Sequence, residues 1–312
     1  VLTPLRVVPF ASERVWGGRR LLPPRTLPIG ELWLAGPWLA VASGRHAGRT
    51  LEEVAAEVGS DLVGSAAAGR AGPSFPLLAK LIDPAAWVSI QVHPDDELAR
   101  ALEGPDAVGK AEAWYVVEAE PGAELLIGVR PGVSLDDVRA AIGLPAERRG
   151  GAVVDLMAHL EVGRGDAISL PAGTLHAIGP GALLYEIQQP SDLTYRVDDW
   201  GRPASPKRPL HLEQALRALG VGGPPEIKRA VPPGRIVTSG HFILDLVDGP
   251  DQLAPEGRTL HVVTALDGLV RLAGTGWTEE LAARETVVVP ASVGPYDVET
   301  PAGRRVLVAG LP

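Results

Sequence analysis

Seven histidines and no cysteine restrict where this chain of 312 residues could hold a metal ion. Without thiolates, the ligands would be imidazole nitrogen, carboxylate or amide oxygen. Two histidines stand in segments suited to that task. In QVHPDD, residues 91–96, Gln91 and His93 are two positions apart, so on a strand both side chains point to one face. His93 offers an imidazole nitrogen and Gln91 a neutral carbonyl oxygen. In GDAISLPAGTLH, residues 165–176, a strand enters a tight turn where Gly173 supplies backbone freedom, and His176 projects from the returning strand. A carboxylate would complete the set, and two compete. Glu97 lies four residues after His93, whereas Glu112 lies in GKAEAWY at the start of another candidate strand. Spacing does not choose between them.

The remaining histidines, among them His159, His211, His241 and His261, stand alone and read as structural or solvated side chains. Trp16, Trp33 and Trp114 read as packed indoles rather than sugar platforms. Only four residues are Lys, at 80, 110, 207 and 228, against 25 Arg. A lysine can be tuned to lose its proton near neutrality and an arginine cannot.

Composition narrows the function classes. A formal net charge of -9 argues against a general grip on nucleic acid or an anionic membrane, while one local basic pocket for a phosphate stays open. Arg202, Lys207 and Arg208 form such a basic cluster. Apolar residues make up 46% and charged residues 21%, the balance of a folded globular protein. No apolar run approaches the roughly 18 residues of a membrane span and no secretory pattern opens the chain, so a cytoplasmic protein is expected.

To position these residues the chain has mostly short apolar runs broken by Gly and Pro, which favours a β-rich fold. Residues 114–118 and 124–128 flank the turn EPGA and are expected to form a hairpin, and residues 167–170 and 182–188 flank PAGTLHAIGPG in the same manner. Five more strand candidates span 241–247, 259–266, 269–273, 285–289 and 305–309. Helices are expected over 50–59 and 134–142, behind Thr and Ser caps, and over 211–219. Pro and Gly break every period over 221–235, which places a boundary between a larger unit, 1–225, and a smaller one, 226–312.

The segment from Gly165 to His176 resembles the second cupin motif, Gly-x5-Pro-x-Gly-x2-His. Four separated segments, QVHPDD, GKAEAW, GTLHAIG and EIQQPSDLTYRVDD, follow the order seen in type I mannose-6-phosphate isomerases of the short bacterial form. The likeness extends to RVWGG, PLLAKLID and RPLHLEQAL and covers most of the chain. Gln91 departs from the histidine usual in other cupins. The resemblance implies a mainly β protein of two cupin (jelly-roll) β-barrel units with a few peripheral helices. It also implies one Zn2+ per chain, held by Gln91, His93, Glu112 and His176, with other divalent metals able to substitute. The catalytic unit is then 1–225 and the accessory unit 226–312, whose VPASVGPY turn lacks the metal-binding His.

By the same resemblance Lys80, Lys110, Asp192 and Arg196 are active-site residues. The implied reaction interconverts mannose 6-phosphate and fructose 6-phosphate through a metal-stabilised cis-enediol. Lys80 or Lys110 would be the base, Asp192 would assist ring opening, and Arg196 would stabilise the enediolate or grip phosphate. The alternatives are a cupin isomerase of another sugar phosphate such as glucose 6-phosphate, a cupin dioxygenase, and a non-catalytic sugar-binding cupin. The expected partner is a small sugar phosphate rather than nucleic acid or membrane, and the sequence does not fix the oligomeric state.

Overall fold

The strand Glu112–Ala119, EAWYVVEA, shows how the molecule is layered. Ala113, Tyr115 and Val117 point to one hydrophobic core, and Trp114 and Val116 to another. Its neighbour Ala182–Gln188 divides likewise, with Leu183, Tyr185 and Ile187 on one side and Ala182 and Leu184 on the other. A strand covered on both faces carries apolar residues at nearly every position, which is why these runs are continuous rather than alternating. The computed structural model describes residues 2–22, 28–203, 206, 208–220 and 223–312.

The described strands form four antiparallel sheets in two facing pairs. The first pair sets a seven-stranded sheet, centred on Glu112–Ala119 and Ala182–Gln188, against a five-stranded sheet. The five-stranded sheet runs in the order Tyr195–Asp198, Ile90–Val92, His176–Ile178, Glu124–Val129 and Met157–Glu161. The second pair sets a six-stranded sheet containing His261–Ala265 and Arg305–Gly310 against a four-stranded sheet containing Val270–Gly274 and Tyr296–Glu299. Each pair closes over its own core, and the outer face of the seven-stranded sheet packs on the six-stranded one through Leu81, Tyr185, Leu244 and Leu307. The result is a mainly β protein of two jelly-roll units. The ends cross over: Leu5–Arg6 pairs with Thr286–Val289, and Ile227–Lys228 pairs with Ala167–Leu170. Residues 221–222 of the expected boundary lie outside the described residues.

The two expected hairpins do not form. Glu112–Ala119 belongs to the seven-stranded sheet and Glu124–Val129 to the five-stranded one, so EPGA, with Gly122 at φ 79°, carries the chain across the sandwich. From Ala167–Leu170 the chain likewise crosses to His176–Ile178 and returns to Ala182–Gln188. A short Gly-Pro turn suits a corner between sheets as well as a hairpin. The pairing decides which, and pairing is not local. This crossing brings His176 opposite the sheet that carries Glu112.

The three expected helices are present as Leu51–Val58, Leu135–Ile142 and Leu212–Ala218, with capping boxes at Thr50 and Ser134. Further helices not expected from the sequence include Asp96–Glu103 and Ala146–Val154. The first is opened by the Asp95 side chain, which accepts from Leu98 N at 2.8 Å. Helices Leu135–Ile142, Ala146–Val154 and Leu212–Ala218 cover the outer face of the five-stranded sheet. That fixes the strands Ile90–Val92 and His176–Ile178 from behind.

Candidate metal centre

Gln91 and His176 face each other in neighbouring strands, paired in register. Gln91 Nε2 lies 3.2 Å from His176 Nε2 and 3.5 Å from His93 Nε2. From the opposite sheet comes Glu112, whose Oε1 is 3.4 Å from His93 Nε2 and whose Oε2 is 3.7 Å from His176 Nε2. His93, Glu112 and His176 are each about 2% exposed, and they are the grouped metal-ligand set found among the described residues. Four side chains from three strand regions thus meet at one buried point. Glu97, the rival carboxylate, is exposed on helix Asp96–Glu103.

The chemistry of this donor set fits a divalent cation. Both imidazoles are oriented from behind: His93 Nδ1 donates to Leu193 O at 2.7 Å and His176 Nδ1 donates to Thr174 O at 2.9 Å. Each Nε2 lone pair is therefore left facing the common point, the tautomer that metal ligation requires. Burial keeps both rings well suited to the neutral form, pushing His93 far below its ordinary pKa with help from Lys110 and lowering His176 against the opposing pull of Glu112. Glu112 Oε2 is a buried carboxylate oxygen with no hydrogen-bond partner among the described residues. An orphaned charged oxygen is costly to bury, and a cation at this point would satisfy it.

Two lysines stand against the cluster. Lys110 Nζ bonds Glu112 Oε1 and lies 3.3 Å from His93 Nε2. Burial works against the charge on Lys110, yet Glu112 and Glu186 outweigh it and raise its pKa. Lys80 Nζ lies 3.5 Å from Asp192 Oδ1 and 3.6 Å from Glu186 Oε1, over the ring of Trp33 at 4.8 Å from its centroid. Asp192 is half exposed, so Lys80 joins the buried Glu186 to a residue at the surface, whereas Lys110 pairs with the buried Glu112.

Comparison with known proteins gives this arrangement a context. A family model described as the catalytic domain of type I phosphomannose isomerase matches residues 21–131. A probable mannose-6-phosphate isomerase of Bacillus subtilis is 31% identical over 95% of this chain and 96% of its own length. The chain belongs to the type I phosphomannose isomerase family. The mannose-6-phosphate isomerase of Streptococcus mutans is 36% identical over 71% of this chain and 69% of its own. The crystal structure of a mannose 6-phosphate isomerase from Bacillus subtilis superposes with a TM-score of 0.81 at 27% identity, covering 99% of both chains. The family is one of metal-dependent aldose-ketose isomerases, and its cupin fold is the two-unit fold seen here.

In this phosphomannose isomerase family member, Arg196 sits beside Gln91 in register on the next strand. Its Nε donates to Ser89 Oγ at 3.2 Å and its Nη1 to Pro209 O at 2.8 Å. Ser89 Oγ in turn donates to Gln91 Oε1 at 3.0 Å. Arg202 and Arg208 do not form an open basic cluster, because both pair with Asp199, at 2.9 Å and 2.7 Å. The third member of that expected cluster, Lys207, lies outside the described residues.

Sequence reasoning missed several groups around the cluster. Glu186 is buried, accepts from Trp114 Nε1 at 2.8 Å, and has its pKa raised by burial and by Glu112. Glu31 accepts from Trp33 Nε1 at 2.8 Å and pairs with Arg14 at 3.0 Å; burial opposes its charge, but Lys80 and Arg14 pull its pKa down to about 2. The alternation of EIQQ could have signalled Glu186, since a carboxylate flanked by Tyr185 and Ile187 on a buried strand needs partners.

Proposed function

We propose that this protein interconverts mannose 6-phosphate and fructose 6-phosphate at the point where Gln91, His93, Glu112 and His176 converge. That convergence, inside a member of the phosphomannose isomerase family, is the observation that carries the reading. Zinc is the proposed ion, one per chain, since three or four N/O ligands with room for water or substrate suit a catalytic zinc. When bound, the cation supplies positive charge to offset the negative charge that develops on the sugar's C1 and C2 oxygens. Gln91 contributes by turning its carboxamide oxygen inward, a half-turn from the orientation in which Nε2 faces the histidines.

The chain's own groups do the rest. Of the two expected bases, Lys80, 3.6 Å from the Glu186 carboxylate, is the one placed to move the proton between C2 and C1, while Lys110, held as a cation by Glu112 and Glu186, offsets negative charge developing on the sugar. Asp192, at the open side and beside Lys80, assists ring opening. Arg196 offers a guanidinium held by Ser89 and Pro209 to the enediolate or the phosphate. In this proposal residues 1–225 form the catalytic unit, residues 226–312 a metal-free accessory unit, and the enzyme works in the cytoplasm on a soluble sugar phosphate. Among the described residues no helix is long and apolar enough to cross a membrane.

The reading is tested by coupled assays on mannose, glucose and ribose phosphates. Turnover confined to mannose 6-phosphate supports it, and preference for another sugar phosphate overturns it. Arg196→Ala should lower kcat by about 100-fold, the scale of losing one group that stabilises developing negative charge. Metal content should be unchanged, because the Arg196 guanidinium reaches Gln91 only through Ser89 and the strand pairing between the two residues does not depend on the Arg196 side chain. A fully active Arg196→Ala enzyme removes Arg196 from the mechanism.

A further inference from the structure

Lys110 and Glu112 both project into the cluster, yet the segment that presents them, Gly109 to Ala111, lies before the strand Glu112–Ala119 begins. No sheet ladder sets the main chain there, so other groups must. Asp96 Oδ1 accepts from Gly109 N at 2.7 Å and from Gln189 Nε2 at 2.9 Å. Gln189 Oε1 accepts from Ala111 N at 2.9 Å, and Gln189 N donates to Ala111 O at 3.2 Å. Lys110 N donates to Pro94 O at 3.0 Å.

The approach is close as well as bonded. A Cβ added at Gly109 would lie 2.6 Å from the carbonyl carbon of Asp95 and 2.8 Å from Pro94 O, so the segment rests directly on the HPDD turn that follows His93. We propose that Asp96 and Gln189 form a clamp that sets the main chain on both sides of Lys110 and thereby positions Lys110 Nζ and the Glu112 carboxylate for the metal and the substrate. The pair are positioning residues; neither touches the cluster. The clamp ties the segment to His93 on one side and, through Gln189, to the strand of Glu186 on the other. It therefore registers three parts of the site against one another, which is the work expected of groups just outside a metal's ligands. Asp96 is partly exposed and its hydrogen bonds hold its carboxyl below the usual range against the effect of burial, so it serves as a charged acceptor.

The inference rests on the metal-dependent reading above, and the test separates the two. Zinc affinity is measured on purified full-length protein by competition with a chromogenic chelator, with the absorption spectrum of the Co2+-loaded protein and the kinetics on mannose 6-phosphate. Asp96→Ala and Gln189→Met each remove the clamp's bonds and should weaken zinc binding by about 10- to 100-fold, the usual cost of losing a group behind a ligand. They should shift the Co2+ bands and lower kcat more than they raise KM. Asp96→Asn keeps an oxygen for Gly109 and Gln189, so it should stay near wild type. If the variants melt earlier but keep zinc affinity and the Co2+ spectrum, the pair is merely structural and the clamp is wrong. The clamp is equally wrong if Asp96→Asn loses as much as Asp96→Ala. Should Gln189→Met fail to fold, the partly exposed Asp96→Ala decides alone. A wild-type protein that binds no zinc or other divalent ion overturns both readings at once.

Discussion

Glu112→Gln is expected to abolish most of the isomerase activity, by on the order of 1,000-fold, with loss of bound metal. One group that stabilises a developing oxyanion is worth about 100- to 1,000-fold, and this substitution removes the cation that several such interactions would depend on. Glu112 is the charged member of an otherwise neutral set of imidazoles and amide, so it supplies the anionic part of the attraction for a cation. The substitution keeps shape and volume, leaving charge as the variable. It also strands Lys110, whose Nζ bonds Glu112 Oε1 in the buried site. Turnover of mannose 6-phosphate and metal analysis on the same sample check both halves. A Glu112→Gln enzyme with a full metal load and normal turnover would remove Glu112 from the centre and reopen the case for Glu97, despite its exposure on a helix.

The second large effect concerns stability. Lys110→Met removes one partner of a buried ion pair, and in the metal-free protein the Glu112 carboxylate then faces a dry interior uncompensated. Breaking such a pair typically costs about 3–5 kcal/mol. For a chain of this length that corresponds to a fall in melting temperature of roughly 6–10 °C, at about 2 °C per kcal/mol. Adding zinc should restore most of the loss, since a cation between Glu112 and the histidines takes over the charge compensation. Turnover should not return with it: losing a positive group that stabilises developing negative charge costs about 100- to 1,000-fold. Thermal melts with and without zinc, beside kinetic assays, separate the two roles. A metal-free Lys110→Met protein as stable as wild type would show that the Lys110–Glu112 pair is not an energetic feature of the site.

How far the sequence reaches is clear from particular residues. Gln91, His93 and His176 are legible because period-2 alternation and a Gly-containing turn are local properties, and the structure brings all three to one point. Glu112 stays open against Glu97 on spacing alone, since the sequence does not reveal that residues 96–103 form a helix facing solvent while Glu112 opens a strand in the opposite sheet. The same lack of pairing information makes EPGA read as a hairpin. Jelly-roll chains pass from sheet to sheet at their turns, and the partners of Glu112–Ala119 are the distant strands Ala167–Leu170 and Ala182–Gln188. Arg202 and Arg208 look like an open cationic patch because nothing local shows that Asp199, just before them in sequence, faces both. The Asp96–Gln189 bonds join positions 93 apart, beyond any local rule.

The central claim is that this centre binds a divalent cation on which the isomerisation depends. It is tested most directly by measuring bound metal and mannose 6-phosphate turnover on the same preparation, before chelation, after it, and after reloading with zinc. About one ion per chain, turnover lost on chelation and regained on reloading is the result predicted. Undiminished turnover in protein stripped of metal would contradict it.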